Sequence, residues 1–313
     1  MTTRRELIPL LAGGAGLAAI ASPAPAAGAR VSDPELRRVS YVSKRTGAER
    51  DYFVYLPRGF TSQRSWPVIL FLHGDGERGD AKADLDYVLC HGPLYEAWIQ
   101  KRDLPFVILS PQLPLFGLAS DDFFKGRNRS WIPRRQASGS PQRQDESNAR
   151  LPEPMQGVAA ENPPDDGPDD PDGWQQIGDE LLGMVDHAVK ELRGDARRVY
   201  VTGLSRGGFG TWWLASRHPE RFAAIAPVVG YGLPVYAGPI AKAKLPLWQF
   251  AGGRDPSVPL RYFFALMNEL EKQGHPEVRF TIQEDLGHFT WVRVYRGADL
   301  YDWFLSNVKR GLA

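Results

Sequence analysis

Ser205 sits at the centre of Gly203-Leu204-Ser205-Arg206-Gly207, a G-x-S-x-G pattern that follows the β-branched run Arg198-Val199-Tyr200-Val201-Thr202. A strand that turns sharply into a helix at the serine strains the backbone there. It also brings strand and helix too close for a Cβ two residues to either side, a demand that Gly203 and Gly207 meet. A serine hydroxyl is a weak nucleophile and becomes an effective one only if a histidine takes its proton and a carboxylate orients that histidine. By itself, G-x-S-x-G also recurs by chance in Gly-rich chains, as a helix start with a capping serine. The strand before it and the helical stretch Thr211-Trp212-Trp213-Leu214-Ala215, stopped at His218-Pro219, favour the catalytic reading.

Six histidines compete for the role of base. His91 and His187 lie inside helical stretches, and His218 and His275 each precede a proline at a helix end, so packing or surface roles suit those four. His73 belongs to a Gly-rich loop after a buried strand. His288 stands in Asp285-Leu286-Gly287-His288-Phe289, directly after the last strand, at the carboxyl edge where the loops of a parallel sheet gather. Asp255, in Gly252-Gly253-Arg254-Asp255-Pro256, also follows a strand; alone, an aspartate before proline reads as a turn cap. The joint arrangement decides: serine, acid and histidine each follow a different strand and so converge on one edge.

The elements that must position them alternate. Val39 to Ser43 and Tyr52 to Leu56 flank Thr46-Gly47-Ala48 as an antiparallel hairpin, and Trp66 to Leu72, Pro105 to Ser110, Ala223 to Val229, Leu245 to Ala251 and Val278 to Gln283 are apolar strand-length runs. Helical periods cover Leu85 to Ile99, Trp174 to Leu192, Pro259 to Gln273 and Ala298 to Val308. This is an α/β chain: a mostly parallel central sheet with helices on both faces and an antiparallel hairpin at its N-terminal end. Regularity fails from Gln112 to about Gly173. Residues 134–172 hold no aromatic residue, seven prolines and an acidic block from Glu153 to Asp172, and are expected to form a mobile surface insertion. That block lacks the ligand spacing of a calcium loop, so no metal is expected.

The formal charge of +1 steers toward neither nucleic acid nor anionic lipid. Arg4-Arg5 before a short Gly/Ala-rich apolar run, ending in Ala27-Gly28-Ala29, reads as a twin-arginine-like export signal over 1–29. A single domain from about Arg30 to 313 would then reside in the periplasm or outside a bacterial cell, without stable membrane insertion. Cys90 is the only cysteine and suits a small buried hydrophobe.

Leu72-His73-Gly74-Asp75-Gly76-Glu77-Arg78-Gly79, Ser110-Pro111-Gln112, Gly203 to Gly208, Asp255-Pro256-Ser257-Val258-Pro259 and Gly287-His288 together resemble the α/β-hydrolases. Within them the likeness is to secreted esterases, the polyhydroxybutyrate depolymerase-like and feruloyl esterase-like enzymes and related peptidases. The resemblance spans roughly Tyr52 to Trp303 and implies Ser205 as nucleophile, Asp255 as acid and His288 as base, with no cofactor. The oxyanion that develops on attack needs fixed donors: the backbone N–H of Arg206, after the nucleophile, and that of Asp75, with no role required of its side chain. Trp131 and Trp291 are candidate platforms for a sugar or aryl ring, while Trp212, Trp213 and Trp248 suit the core. The expected activity is carboxylic ester hydrolysis through an acyl-enzyme, on a small-molecule or polysaccharide-linked ester. A serine peptidase on the same fold is the alternative, and a non-catalytic binding domain is the reading of another class.

Overall fold

Side chains along the central strands alternate between two cores, one on each face of the sheet. In β2 (Glu49–Leu56), Tyr52, Val54 and Leu56 face one side and Phe53 and Tyr55 the other; in β3 (Trp66–Leu72), Val68, Leu70 and Leu72 oppose Ile69 and Phe71. Strands covered on both faces must be apolar throughout, and all seven residues of β3 are buried. The computed structural model describes residues 31–60, 65–143, 146–157, 159–164 and 172–309; the expected export signal lies outside them.

The remaining strands are β1 (Glu35–Val42), β4 (Val107–Ser110), β5 (Gly194–Leu204), β6 (Ala224–Val228), β7 (Leu247–Gly252) and β8 (Val278–Gln283). They form one eight-stranded sheet in the order β1-β2-β4-β3-β5-β6-β7-β8. β1 pairs antiparallel with β2, and β2 antiparallel with β4; every later pairing is parallel. The mostly parallel sheet with an antiparallel N-terminal hairpin is therefore the architecture expected from the sequence. Helix α1 (Gly178–Glu191) buries Leu181, Met184, Val185 and Ala188 against one face, together with Trp212, Leu214 and Ala215 of α2 (Arg206–Arg217). The other face is covered by Val294 and Tyr295 of α3 (Trp291–Arg296) and by Leu300, Tyr301 and Phe304 of α4 (Asp299–Ser306). Each of the larger aliphatic side chains and Phe304 contributes about 1.5–3 kcal/mol by leaving water, and each alanine less.

Two stretches differ from expectation. Leu85 to Ile99 is a chain of short helical turns rather than one helix. Pro93 lacks an N–H, and Gly92 takes φ +82° where any Cβ would lie 2.2 Å from the ring of Phe71. Residues 134–172, read from the sequence as a mobile surface insertion, make hydrogen bonds to the framework at several of their described residues. Arg143 pairs with Glu96, the Glu161 amide donates to the Arg261 carbonyl at 3.1 Å, and Arg150 bridges to Leu286. These are polar contacts, to which hydrophobic patterning is blind. Asp165, Asp166, Asp169 and Asp170 lie outside the described residues.

Candidate active site

β5 ends at Leu204 and α2 starts at Arg206, so the turn between them is the single residue Ser205, at φ +51° and ψ −117°. A non-glycine residue there is strained, and the surroundings hold it: the Ser205 amide donates to the Val228 carbonyl at 2.9 Å. A Cβ on Gly203 would lie 2.3 Å from the Gly207 carbonyl oxygen, and one on Gly207 would lie 1.8 Å from that of Leu72. Crossing of strand and helix, the reason for glycines in the motif, is thus literal.

His288 follows β8 by a short loop and starts a helical turn that runs into α3. Its Nε2 lies 3.0 Å from Ser205 Oγ, and its Nδ1 lies 2.7 Å from Asp255 Oδ2. With Nδ1–H donated to the carboxylate, Nε2 is left to accept the serine hydroxyl proton. Asp255, after β7, is fully buried, and its Oδ1 accepts from the amides of Ser257 at 2.8 Å and Val258 at 3.0 Å. Three loops from three strands bring these groups to one carboxyl edge.

The loop after β3 carries Asp75 and Glu77 beside the serine. The Asp75 carboxylate, which the sequence reading left without a role, accepts from Arg78 Nε at 2.7 Å and from Arg206 Nε at 3.2 Å and 3.3 Å. Burial works to raise its pKa, but the charges of Arg206 and Arg78 outweigh that and hold it below the usual carboxylate range. Glu77 is buried, and desolvation pushes its carboxyl up to about 7 against the pull of the backbone amides of Glu77 and Gly74. His73 Nδ1 and His91 Nε2 approach that carboxyl at 3.7 Å and 3.6 Å. Burial drives both imidazoles down, to about 3 and about 4, so neither contact is an ion pair near neutral pH. His73 is a framework residue: its Nδ1–H donates to the Gly74 carbonyl at 2.6 Å and its Nε2 accepts from the Leu113 amide at 2.9 Å.

A cavity of about 1100 Å³ opens over Ser205 and His288. Trp291 forms part of its wall, 6% exposed, packed edge-on to His288 with ring centroids 5.2 Å apart and against His91 at 5.6 Å. Trp131 lines the same cavity but is 66% exposed. His91, assigned to a helix interior from the sequence, is instead a wall residue, because Gly92 breaks that helix. Tyr87, Phe209, Tyr231 and Tyr262 add aromatic surface that no motif announced. Trp212 is fully buried, donating to Gln249 Oε1 at 2.8 Å. Cys90 also borders the cavity, its thiol pushed up to about 12 by burial. Among the described residues, no group of three or more His, Cys, Asp or Glu side chains is placed to hold a metal ion, and no helix is long and apolar enough to cross a membrane.

Residues 174–237, which contain the turn at Ser205, match the model of the prolyl oligopeptidase family. Poly(3-hydroxyalkanoate) depolymerase C of Paucimonas lemoignei is 39% identical over 66 residues, 18% of this chain and 16% of that protein. Feruloyl esterase B of Neurospora crassa is 36% identical over 66 residues, 21% of this chain and 22% of that protein. The matched stretches thus span less than a quarter of either relative. Among solved structures, a thermostable esterase superposes with a TM-score of 0.57 at 22% identity, covering 88% of this chain and 63% of that one. Strand order, the strained serine between β5 and α2, and the superposition identify the chain as having the fold of the α/β-hydrolases.

Proposed function

We propose that this protein is a serine hydrolase that cleaves carboxylic esters through an acyl-enzyme. The observation that carries the reading is the continuous line from Ser205 Oγ to His288 Nε2 at 3.0 Å and from His288 Nδ1 to Asp255 at 2.7 Å. Ser205 Oγ attacks the ester carbonyl carbon as its proton passes to His288 Nε2, and the tetrahedral oxyanion is met by the amides of Asp75 and Arg206. Collapse breaks the bond to the alcohol oxygen, which takes the proton from His288 and leaves. A water then gives its proton to His288, attacks the acyl carbon, and releases the carboxylic acid as the proton returns to Ser205. Asp255 holds the imidazole in the tautomer that accepts and stabilises the imidazolium that forms.

The aromatic wall, with Trp131 and Trp291, supports an ester with an aryl, sugar or polymer-borne group; the ester chemistry named for the depolymerase and the feruloyl esterase agrees with this. A peptidase is the second reading, favoured by the match of 174–237 to the prolyl oligopeptidase family. Export over 1–29 remains part of the proposal on the strength of Arg4-Arg5 and Ala27-Gly28-Ala29. Labelling with a fluorophosphonate, mapping of the adduct to Ser205, and comparison of short-chain aryl esters with peptide amides test it. Absence of an adduct at Ser205 removes the serine hydrolase reading and leaves a binding domain; faster cleavage of amides installs the peptidase.

A further inference from the structure

We infer that residues 146–156 are a strap that positions the acid and the base of the proposed triad, with Gln156 as its main positioning residue; the inference rests on the serine hydrolase reading. The loops bearing Asp255 and His288 begin where β7 and β8 stop, at Gly252 and Gln283. Beyond those residues the two loops join directly through Arg254, whose amide donates to the Leu286 carbonyl and whose Nε donates to the Glu284 carbonyl, each at 2.9 Å, and through the Asp255–His288 pair itself. The strap adds a second set of ties to both loops. On the histidine side, the Gly287 amide donates to the Ala149 carbonyl at 2.9 Å, the Leu151 amide donates to the Asp285 carbonyl at 3.3 Å, and Arg150 pairs antiparallel with Leu286. A Cβ on Gly287 would lie 2.5 Å from Leu151 Cδ1, so the strap is packed against the residue next to His288.

On the acid side, one residue makes three bonds. The Gln156 amide donates to the Gly253 carbonyl at 2.8 Å, its Nε2 donates to the Asp255 carbonyl at 2.7 Å, and its Oε1 accepts from the Leu260 amide at 3.0 Å. The Asp255 carboxylate is aimed by the amides of Ser257 and Val258, so its direction follows the backbone that Gln156 spans. Between the two anchor points lie Pro152 and Pro154, whose fixed φ limits the slack of the strap. Glu146 extends the tie at the other end, pairing at 3.2 Å with Arg293, which forks onto Asp285 at 2.8 Å. The strap touches the loops and not the reacting atoms, so it acts through Asp255 and His288.

Gln156→Ala should lower kcat on a neutral aryl ester by about ten- to a hundredfold, as expected for a misplaced catalytic group, with KM within about twofold. A cycle with Asp255→Asn separates positioning from general support of the fold: in that background Gln156→Ala should cost less than about twofold, because the group it aims is already disabled. Gln156→Glu has the same shape and keeps the acceptor for Leu260 while setting an oxygen against the Asp255 carbonyl; it should show the same loss of kcat and serves if the alanine variant does not fold. Full kcat in a folded Gln156→Ala, or in Gln156→Glu where the alanine variant does not fold, an equal loss in both backgrounds, or a rise in KM alone would overturn the inference. Wild-type protein that forms no fluorophosphonate adduct at Ser205 removes the serine reading and the strap with it. Labelled wild type together with an undiminished Gln156→Ala removes the strap alone.

Discussion

Arg206 Nε lies 3.2 Å and 3.3 Å from the two carboxylate oxygens of Asp75, so the residues proposed to offer the two oxyanion amides are also joined through their side chains. Asp75 in turn accepts from Arg78, whose guanidinium is buried. The loop after β3 and the start of α2 are thereby held at one separation, which is what a pre-set pair of donors requires.

Arg206→Ala cuts this tie without stranding a buried charge, whereas removing the Asp75 carboxylate would leave Arg78 unpaired from it. We expect kcat to fall by about tenfold, less than the loss of a whole oxyanion donor. Stability should change by less than about 1 kcal/mol, because the pair is partly exposed to water. Steady-state rates and a urea melt on the same preparation test both statements; a variant with wild-type kcat would show that the backbone alone sets the donors.

Ser205→Ala should reduce turnover by about a millionfold while the protein stays folded. Asp255→Asn should cost about ten-thousandfold, because an amide favours the wrong histidine tautomer. Retention of a tenth of the wild-type rate by either variant would move that role to another residue. Circular dichroism of each variant guards against a trivial loss of fold.

Gly207→Ala should cost more than about 4 kcal/mol or prevent folding, since the new Cβ would sit 1.8 Å from the Leu72 carbonyl oxygen and both partners are backbone. Gly183→Ala is the contrast. It lies in α1 with nothing within 4 Å of a new Cβ, and should stabilise by about 0.5–1 kcal/mol. Denaturant midpoints of the two variants should shift in opposite directions.

Glu77 ties stability to pH. Its carboxyl is raised in the folded protein from 4.5 to about 7, so its contribution is full below pH 4.5 and is lost as pH rises through 7. Glu77→Gln removes that loss. The variant should gain on the wild type by up to roughly 3 kcal/mol between pH 4.5 and pH 8. Urea unfolding of both proteins at pH 5 and pH 8 measures it; an equal difference at the two values would mean that the Glu77 carboxyl is not raised in the folded protein.

Much of the framework was legible before any coordinates. The apolar run of β3, the hairpin and the glycines around Ser205 are local signals, because a strand covered on both faces is apolar throughout and a strand-to-helix crossing excludes Cβ atoms at fixed offsets. Element order put Ser205, Asp255 and His288 after three different strands, β5, β7 and β8, and a parallel sheet sends all such loops to one edge. Distances between them are another matter: Asp255 reaches His288 across 33 positions and Gln156 reaches the Asp255 carbonyl across 99, through hydrogen bonds that have no sequence period. For the same reason 134–172 looked detached, since its contacts are mostly polar bonds and scattered single apolar side chains such as Leu151 rather than a periodic apolar face. His91 lies in the cavity wall beside Gly92, whose close approach to the Phe71 ring, 21 positions away, leaves no room for a Cβ and belongs to the packed core. The sequence alone thus determined which elements form and which loops share an edge. Tertiary packing decided which polar groups meet there, because directional bonds between distant residues exist only once the sheet has set their separation.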